Sequence, residues 1–125
     1  MGRKIVIRSG ALEMSAELND SPAAEALFSV LPFSAEAMTW GDEIYFQVPV
    51  DEKLDATARE LVQAGDLGYW PPGRAFCIFF GPTPISRGDE IRPAGPVNVL
   101  GRLIGEPRAF KAVRDGDLME LDVAP

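Results

Sequence analysis

Apolar and polar residues alternate with a period of two along most of this sequence. Apolar side chains occupy every second position in three segments, at Leu12, Met14, Ala16 and Leu18, then at Ile44, Phe46 and Val48, and again at Met119, Leu121 and Val123. This period is that of a β-strand with one buried face, because successive side chains of a strand point to opposite sides. Many short strands interrupted by turn residues predict an all-β protein whose sheet closes, or nearly closes, into a barrel.

Turn residues separate these segments. The pair Gly-Asp occurs four times, at residues 41–42, 65–66, 88–89 and 116–117. Glycine adopts positive φ without strain and the aspartate side chain accepts hydrogen bonds from nearby amides, so each pair predicts a turn just before a strand. Ser9-Gly10 likewise predicts a tight hairpin between the first two strands.

The period changes to that of a helix after the second strand. Ser21 is a good N-cap and Pro22 fits a first helical turn, while an apolar stripe follows at Ala23, Ala26, Leu27, Val30 and Leu31. We expect a helix over Ser21–Leu31 that packs Leu27 and Leu31 against an open end of the barrel. A second short helix is predicted near Pro107–Val113, and the weak spacing of residues 51–64 fits a helix or a loop equally well.

Composition limits the classes of function. The 125 residues fit a single domain over residues 1–125, and the net charge of −7 with scattered cations argues against a nucleic-acid partner. Cys77 is the only cysteine and there is no histidine, which excludes an intramolecular disulfide, a Ser-His-Asp triad and an imidazole metal site. No residue pattern indicates a metal or a cofactor, and no segment resembles a signal peptide or membrane span, so a cytoplasmic protein is expected.

Aromatic residues and prolines are concentrated in the stretch GDLGYWPPGRAFCIFFGPTP, residues 65–84. Pro71-Pro72-Gly73 predicts a turn in which Gly73 permits the reversal, so that LGYW and AFCIFF pair as strands. Within AFCIFF, Phe76, Ile78 and Phe80 share one face, which we expect to fill the barrel, while Cys77 and Phe79 share the other. That second face is either covered by a helix or left to line a surface. Cys77 is expected to be a small buried apolar side chain.

The order of elements resembles the cyclophilin fold. More specifically, WGDEIYF, residues 65–84 and VNVLGRLIG together resemble a family of small, functionally uncharacterised prokaryotic proteins with that fold. The resemblance covers nearly the whole chain. It implies a closed eight-stranded β-barrel with one or two short capping helices.

The resemblance does not carry prolyl isomerase activity with it. Active cyclophilins have F-H-R in the third strand, where this chain has AMTW at residues 37–40. They also have Q-G-G-D where this chain has FQVP, in which Gln47 is a partial match. The motif gives no reason to place Arg74 or Arg92 in a cleft. Fold alone does not imply function.

Two classes of function therefore remain open. In the first, the domain binds a small molecule or a peptide segment in an aromatic and proline-lined cleft, for which the candidate residues are Tyr45, Gln47, Tyr69, Trp70, Arg74, Phe79 and Thr83. In the second, it is an enzyme, either a divergent prolyl isomerase or one that uses Glu43 or Asp66 with Arg74. A structural subunit that presents this patch to a partner chain is a third possibility. The charge of −7 disfavours anionic ligands and favours cationic or neutral ones.

Overall fold

The computed structural model describes residues 2–125, and within that range it has ten strands, one α-helix and two 3₁₀ helices. The strands are β1 Arg3–Ser9, β2 Leu12–Leu18, β3 Phe33–Glu36, β4 Met38–Thr39, β5 Glu43–Gln47, β6 Ala58–Arg59, β7 Asp66–Trp70, β8 Ala75–Phe79, β9 Val97–Ile104 and β10 Leu118–Val123. The α-helix is α1 Pro22–Ser29, and the 3₁₀ helices are Pro71–Gly73 and Pro107–Ala112. None of the helices in residues 2–125 is long and apolar enough to cross a membrane.

One antiparallel sheet forms a nearly closed barrel. Its strand order is β3-β10-β1-β2-β9-β7-β8-β5-β4, with β6 paired to β9. The strands at the two ends of this order, β3 and β4, are separated in the chain only by Ala37, so residues 33–39 join both ends of the sheet. Ala37 donates its N–H to the Asp117 carbonyl and accepts at its own carbonyl from the Gly116 N–H, each at 2.8 Å. The predicted all-β barrel is confirmed.

The observed strand number differs from the predicted eight for two local reasons. The segment over residues 33–39 is interrupted at Ala37, which makes β3 and β4 two strands. In addition, the loop before β7 contributes the two-residue strand β6. Counting residues 33–39 once and omitting β6 leaves eight strands around the barrel.

The helix α1 begins as predicted and ends earlier. The Ser21 hydroxyl accepts a hydrogen bond from the Ala24 N–H at 3.3 Å, and the helix stops at Ser29, two residues before the predicted end. Leu27 is buried in the main core, while Leu31 lies beyond the helix and packs against that core while partly exposed. The helix packs against β9.

The main core fills the barrel and contains one face of β8. Phe76, Ile78 and Phe80 are buried in it, as predicted from their alternation. The Phe46 ring lies between Phe33 and Phe76, with centroid distances of 6.4 and 5.4 Å.

A second apolar cluster lies on the outer face of the same strands, and it positions the candidate site. Its buried members are Val62, Ala75, Cys77, Phe79, Ile91 and Val97. Two loops cover it rather than a helix, and they are joined by a hydrogen bond from the Val62 N–H to the Ile91 carbonyl at 3.1 Å. Residues 51–64, for which helix and loop were equally compatible, form a loop that contains β6.

Candidate functional site

A pocket of about 170 Å³ opens on the outer face of the barrel. Three aromatic side chains line it, those of Trp40, Tyr45 and Trp70. Its remaining wall comes from Glu43 on β5, Ala75 and Cys77 on β8, Val97 on β9, and Pro93 and Ala94 in the 81–96 loop. The volume is similar to that of apolar cavities of about 150 Å³ that bind benzene. The pocket is therefore large enough for one ring or one branched headgroup.

Strand register explains why these side chains meet. Tyr45 on β5 lies opposite Cys77 on β8, and Glu43 lies opposite Phe79. Opposed residues of antiparallel strands point to the same face of the sheet. Glu43, Tyr45 and Cys77 thus share the outer face, where the 81–96 loop adds a further wall.

The Glu43 carboxyl group is buried without a complete set of partners. The residue is only 6% exposed, and its Oε1 atom has no hydrogen-bond partner among the described residues. Burial raises the pKa of Glu43 to about 7, and the neighbouring Cys77 side chain acts weakly in the opposite direction. A carboxyl group with this pKa changes charge near neutral pH, so it is able to accept, hold or release a proton there.

Cys77 is a packing residue in this wall. Its side chain is almost fully buried, and its Sγ atom donates to the Ala75 carbonyl at 3.8 Å. Burial and the negative charge of Glu43 raise the pKa of the Cys77 thiol well above its usual range. Since the thiolate is the nucleophilic form, this environment disfavours reactivity.

Trp70 is held by the turn that follows β7. Pro71–Gly73 forms one 3₁₀ turn, closed by a hydrogen bond from the Arg74 N–H to the Pro71 carbonyl at 3.1 Å. The residue with positive φ in this turn is Arg74, at 49°, although the reversal was predicted at Gly73. Gly73 instead leaves room for the Trp70 ring, because a Cβ atom at residue 73 would lie 2.8 Å from Trp70 Cε3.

The 81–96 loop is fixed by its own hydrogen bonds, and the predicted site residue Thr83 belongs to them. The Ser86 hydroxyl accepts from the Thr83 N–H at 2.9 Å and from the Arg92 N–H at 3.0 Å. The Thr83 hydroxyl donates to the Arg92 carbonyl. Thr83 is buried and does not line the pocket, so its role is to hold the loop that carries Pro93 and Ala94.

Tyr69 and Phe79 were predicted to line the cleft, and both lie elsewhere. Tyr69 points into the barrel, where its hydroxyl donates to the Val50 carbonyl at 2.5 Å. Tyr69 and Trp70 point to opposite faces, and Trp70 is the one on the outer face. Phe79 is on the outer face, but it is fully buried within the second cluster and does not reach the pocket surface.

The polar candidates are also dispersed. Gln47 is exposed at the end of β5, outside the pocket wall. Arg74 is exposed and pairs with Asp51 at 3.6 Å. Asp66 pairs with Arg102 at 2.5 Å, so the hypothetical constellation of Glu43 or Asp66 with Arg74 is not assembled.

Of the seven predicted binding residues, the structure brings Tyr45 and Trp70 together in the pocket. Trp40, Pro93 and Ala94 were not predicted from the sequence, and Glu43 was predicted only as an acid in an enzyme. One signal did exist for Trp40, since AMTW stands where the cyclophilin resemblance places its catalytic motif. Within residues 2–125, no group of three or more acidic, thiol or imidazole side chains is arranged to hold a metal ion.

Comparison with known proteins agrees with this architecture. The model of the cyclophilin-like family matches residues 3–122, nearly the whole chain. A similar solved structure is the solution structure of a hypothetical protein from Archaeoglobus fulgidus, with 38% identity, a TM-score of 0.82, and coverage of 98% of this chain and 95% of that one. A search of curated proteins gave no match. The chain belongs to the cyclophilin-like family, and the resemblance to uncharacterised prokaryotic proteins with this fold is confirmed.

Proposed function

We propose that this protein is a binding module that takes a small molecule, or one side chain of a peptide, into the pocket lined by Trp40, Tyr45 and Trp70. The pocket itself is the observation that carries the proposal. It is concave and mostly apolar, with a few polar groups in its wall, which is the usual character of a ligand site. Its wall belongs to paired strands and a hydrogen-bonded loop, so little ordering is needed when a ligand binds.

Prolyl isomerase activity is the less favoured alternative. Catalysis of this rotation requires a donor or cation placed against the prolyl amide as it twists. No arginine lines the pocket among residues 2–125, and the two arginines considered from the sequence have acidic partners outside it. Arg74 pairs with Asp51, and Arg92 pairs with Glu90 at 2.9 Å.

The proposal is tested by a ligand screen with a matched pair of variants. Both tryptophans of the chain line the pocket, so their fluorescence reports on its occupancy. We expect compounds that raise the melting temperature to change this fluorescence as well, since a ligand at 100 times its Kd adds about 2.7 kcal/mol to stability. Trp40→Leu should abolish these shifts. Phe28→Leu, which truncates an aromatic side chain on α1 outside the pocket, should preserve them.

Two results would contradict the proposal. One is a set of hits that bind Trp40→Leu and the parent chain equally, which would place their site elsewhere. The other is acceleration of proline-peptide isomerisation close to that of an active cyclophilin and lost on changing Arg74 or Arg92.

A further inference from the structure

Glu43 is the acidic residue of the pocket wall, and it has no cationic partner within residues 2–125. Two nearby acidic residues that do not line the pocket have cationic partners. Asp42 Oδ1 lies 3.7 Å from Lys111 Nζ, and Glu90 Oε2 lies 2.9 Å from Arg92 Nε. No salt bridge to Glu43 exists among the described residues, and its Oε1 atom is buried without a hydrogen bond. A buried charge without a partner is strongly unfavourable, so a cation placed beside this carboxyl group would stabilise its ionised form.

We propose that the pocket selects an organic ammonium group, which pairs with the Glu43 carboxylate within the space bounded by Trp40, Tyr45 and Trp70. This inference rests on the binding function proposed above and names the chemical class of its ligand.

Aromatic walls and a carboxylate are complementary to the same group. Cations within about 6 Å of an aromatic ring face are attracted by the ring quadrupole, and tryptophan is the strongest partner. Methyl or methylene groups of an alkylammonium ion fit the apolar wall of Ala75, Pro93 and Val97. The net charge of −7 also raises the local concentration of cations around the molecule.

The titration of Glu43 gives this binding a definite pH dependence. With a pKa of about 7, Glu43 is mostly neutral at pH 5 and mostly ionised at pH 8. A cation that binds only the ionised form should bind about tenfold more tightly at pH 6 than at pH 5, about fivefold more tightly at pH 7 than at pH 6, and with little change above pH 8. The other titratable groups in the wall are the Cys77 thiol and the Tyr45 phenol. The nearest charged groups outside the wall are two ion pairs in adjoining segments, Asp42–Lys111 and Glu90–Arg92.

The experiment compares choline with 3,3-dimethylbutan-1-ol, which has the same shape with a neutral carbon in place of nitrogen. Tryptophan fluorescence is titrated at pH 5 and pH 8. We expect choline or n-butylammonium to bind at least tenfold more tightly than the neutral alcohol at pH 8, and this preference to disappear at pH 5. Nα-acetyl-lysine amide forms a further arm, and tighter binding of that probe than of n-butylammonium would identify a polypeptide as the source of the ammonium group.

Two variants separate the carboxylate from general effects of charge. Glu43→Gln should lose the preference for the cation and its pH dependence, while retaining the weak binding of the neutral alcohol. Glu36→Gln removes the same charge from β3, outside the pocket, and should behave as the parent chain does.

Failure of this inference is distinguishable from failure of the binding function. Equal binding of choline and the alcohol at pH 8 would overturn the inference. An affinity for the ammonium probes that falls with rising pH would also overturn it, because protonated Glu43 would then be acting as a hydrogen-bond donor. Absence of binding by every ammonium probe would also overturn it. In each case the binding function stands if screen hits are still lost in Trp40→Leu.

Discussion

Glu43 and Gln47 belong to the same face of β5, yet one is buried and the other exposed. Alternation correctly placed both on the outer side of the barrel. It did not predict which part of that side is covered, because the covering loop is remote in sequence and has no periodic pattern. From the sequence alone, a polar residue buried under that loop therefore could not be distinguished from one exposed to solvent.

At the scale of this one residue, Glu43 should make stability depend on pH. Its pKa is about 7 in the folded protein against an ordinary value of 4.5 for a glutamate, because burial disfavours the charged form. The folded state thus holds the proton more tightly than the unfolded state between those values. The free energy of unfolding should consequently fall by roughly 3 kcal/mol from this group as pH rises from 4.5 to above 7.

Glu43→Gln should remove this dependence. In urea denaturation, the variant should gain stability relative to the parent chain on going from pH 4.5 to pH 8, by up to about 3 kcal/mol. The control is Glu36→Gln, which changes an exposed carboxylate on β3. If the stability difference between Glu43→Gln and the parent chain is the same at both pH values, the group is not buried as described.

At the scale of elements, the β7–β8 hairpin shows how far residue chemistry predicted local structure. The pairing of these strands was expected from the proline turn and is observed, with Tyr69 opposite Phe76. The assignment of the reversal to Gly73 was wrong. Propensity indicates that a glycine is needed near a turn, but the reason here is contact with the Trp70 ring, which depends on tertiary packing. The turns at the four Gly-Asp pairs were easier to predict, because all four glycines have positive φ. Residues 88–89 are the exception to the strand prediction, since they precede only an isolated bridge at Ile91.

The left-handed conformation of Arg74 leads to a prediction for this hairpin. Arg74→Val should destabilise the protein by about 1–2 kcal/mol relative to Arg74→Gly, because a β-branched residue is strained at positive φ and glycine is not. Both variants lose the exposed pair with Asp51, so this pair does not affect the comparison. Thermal or urea unfolding measures the difference. Equal stability of the two variants would show that residue 74 is not held at positive φ.

At the scale of the whole molecule, alternation and turn residues were sufficient to predict the all-β barrel. Each strand must bury one apolar face, and a chain with many such strands and one short α-helix satisfies this most simply by closing the sheet. The division of the outer face into a loop-covered cluster and an open pocket was not predictable in the same way. It depends on where residues 81–96 return to the sheet, which Thr83, Ser86 and Arg92 fix through contacts that have no sequence period.

The barrel interior should dominate global stability. Phe76→Ala should lower the free energy of unfolding by about 3–5 kcal/mol, because Phe76 is fully buried and its ring packs against Phe46. Glu13→Gln, on the exposed face of β2, should change it by less than about 0.5 kcal/mol. Chemical denaturation of both variants gives the values. Similar losses in the two would mean that the inner and outer faces have been assigned incorrectly.

The segment over residues 33–39 also limits how this protein can associate with copies of itself. Unpaired strand edges are templates onto which another chain can add a strand, and long flat edges lead to aggregation. Here the two terminal strands of the sheet, β3 and β4, have only four and two residues. They are also consecutive parts of one segment, so each exposed edge ends where the chain passes to the other end of the sheet. The same connection that closes the barrel thus leaves very little backbone available for intermolecular pairing.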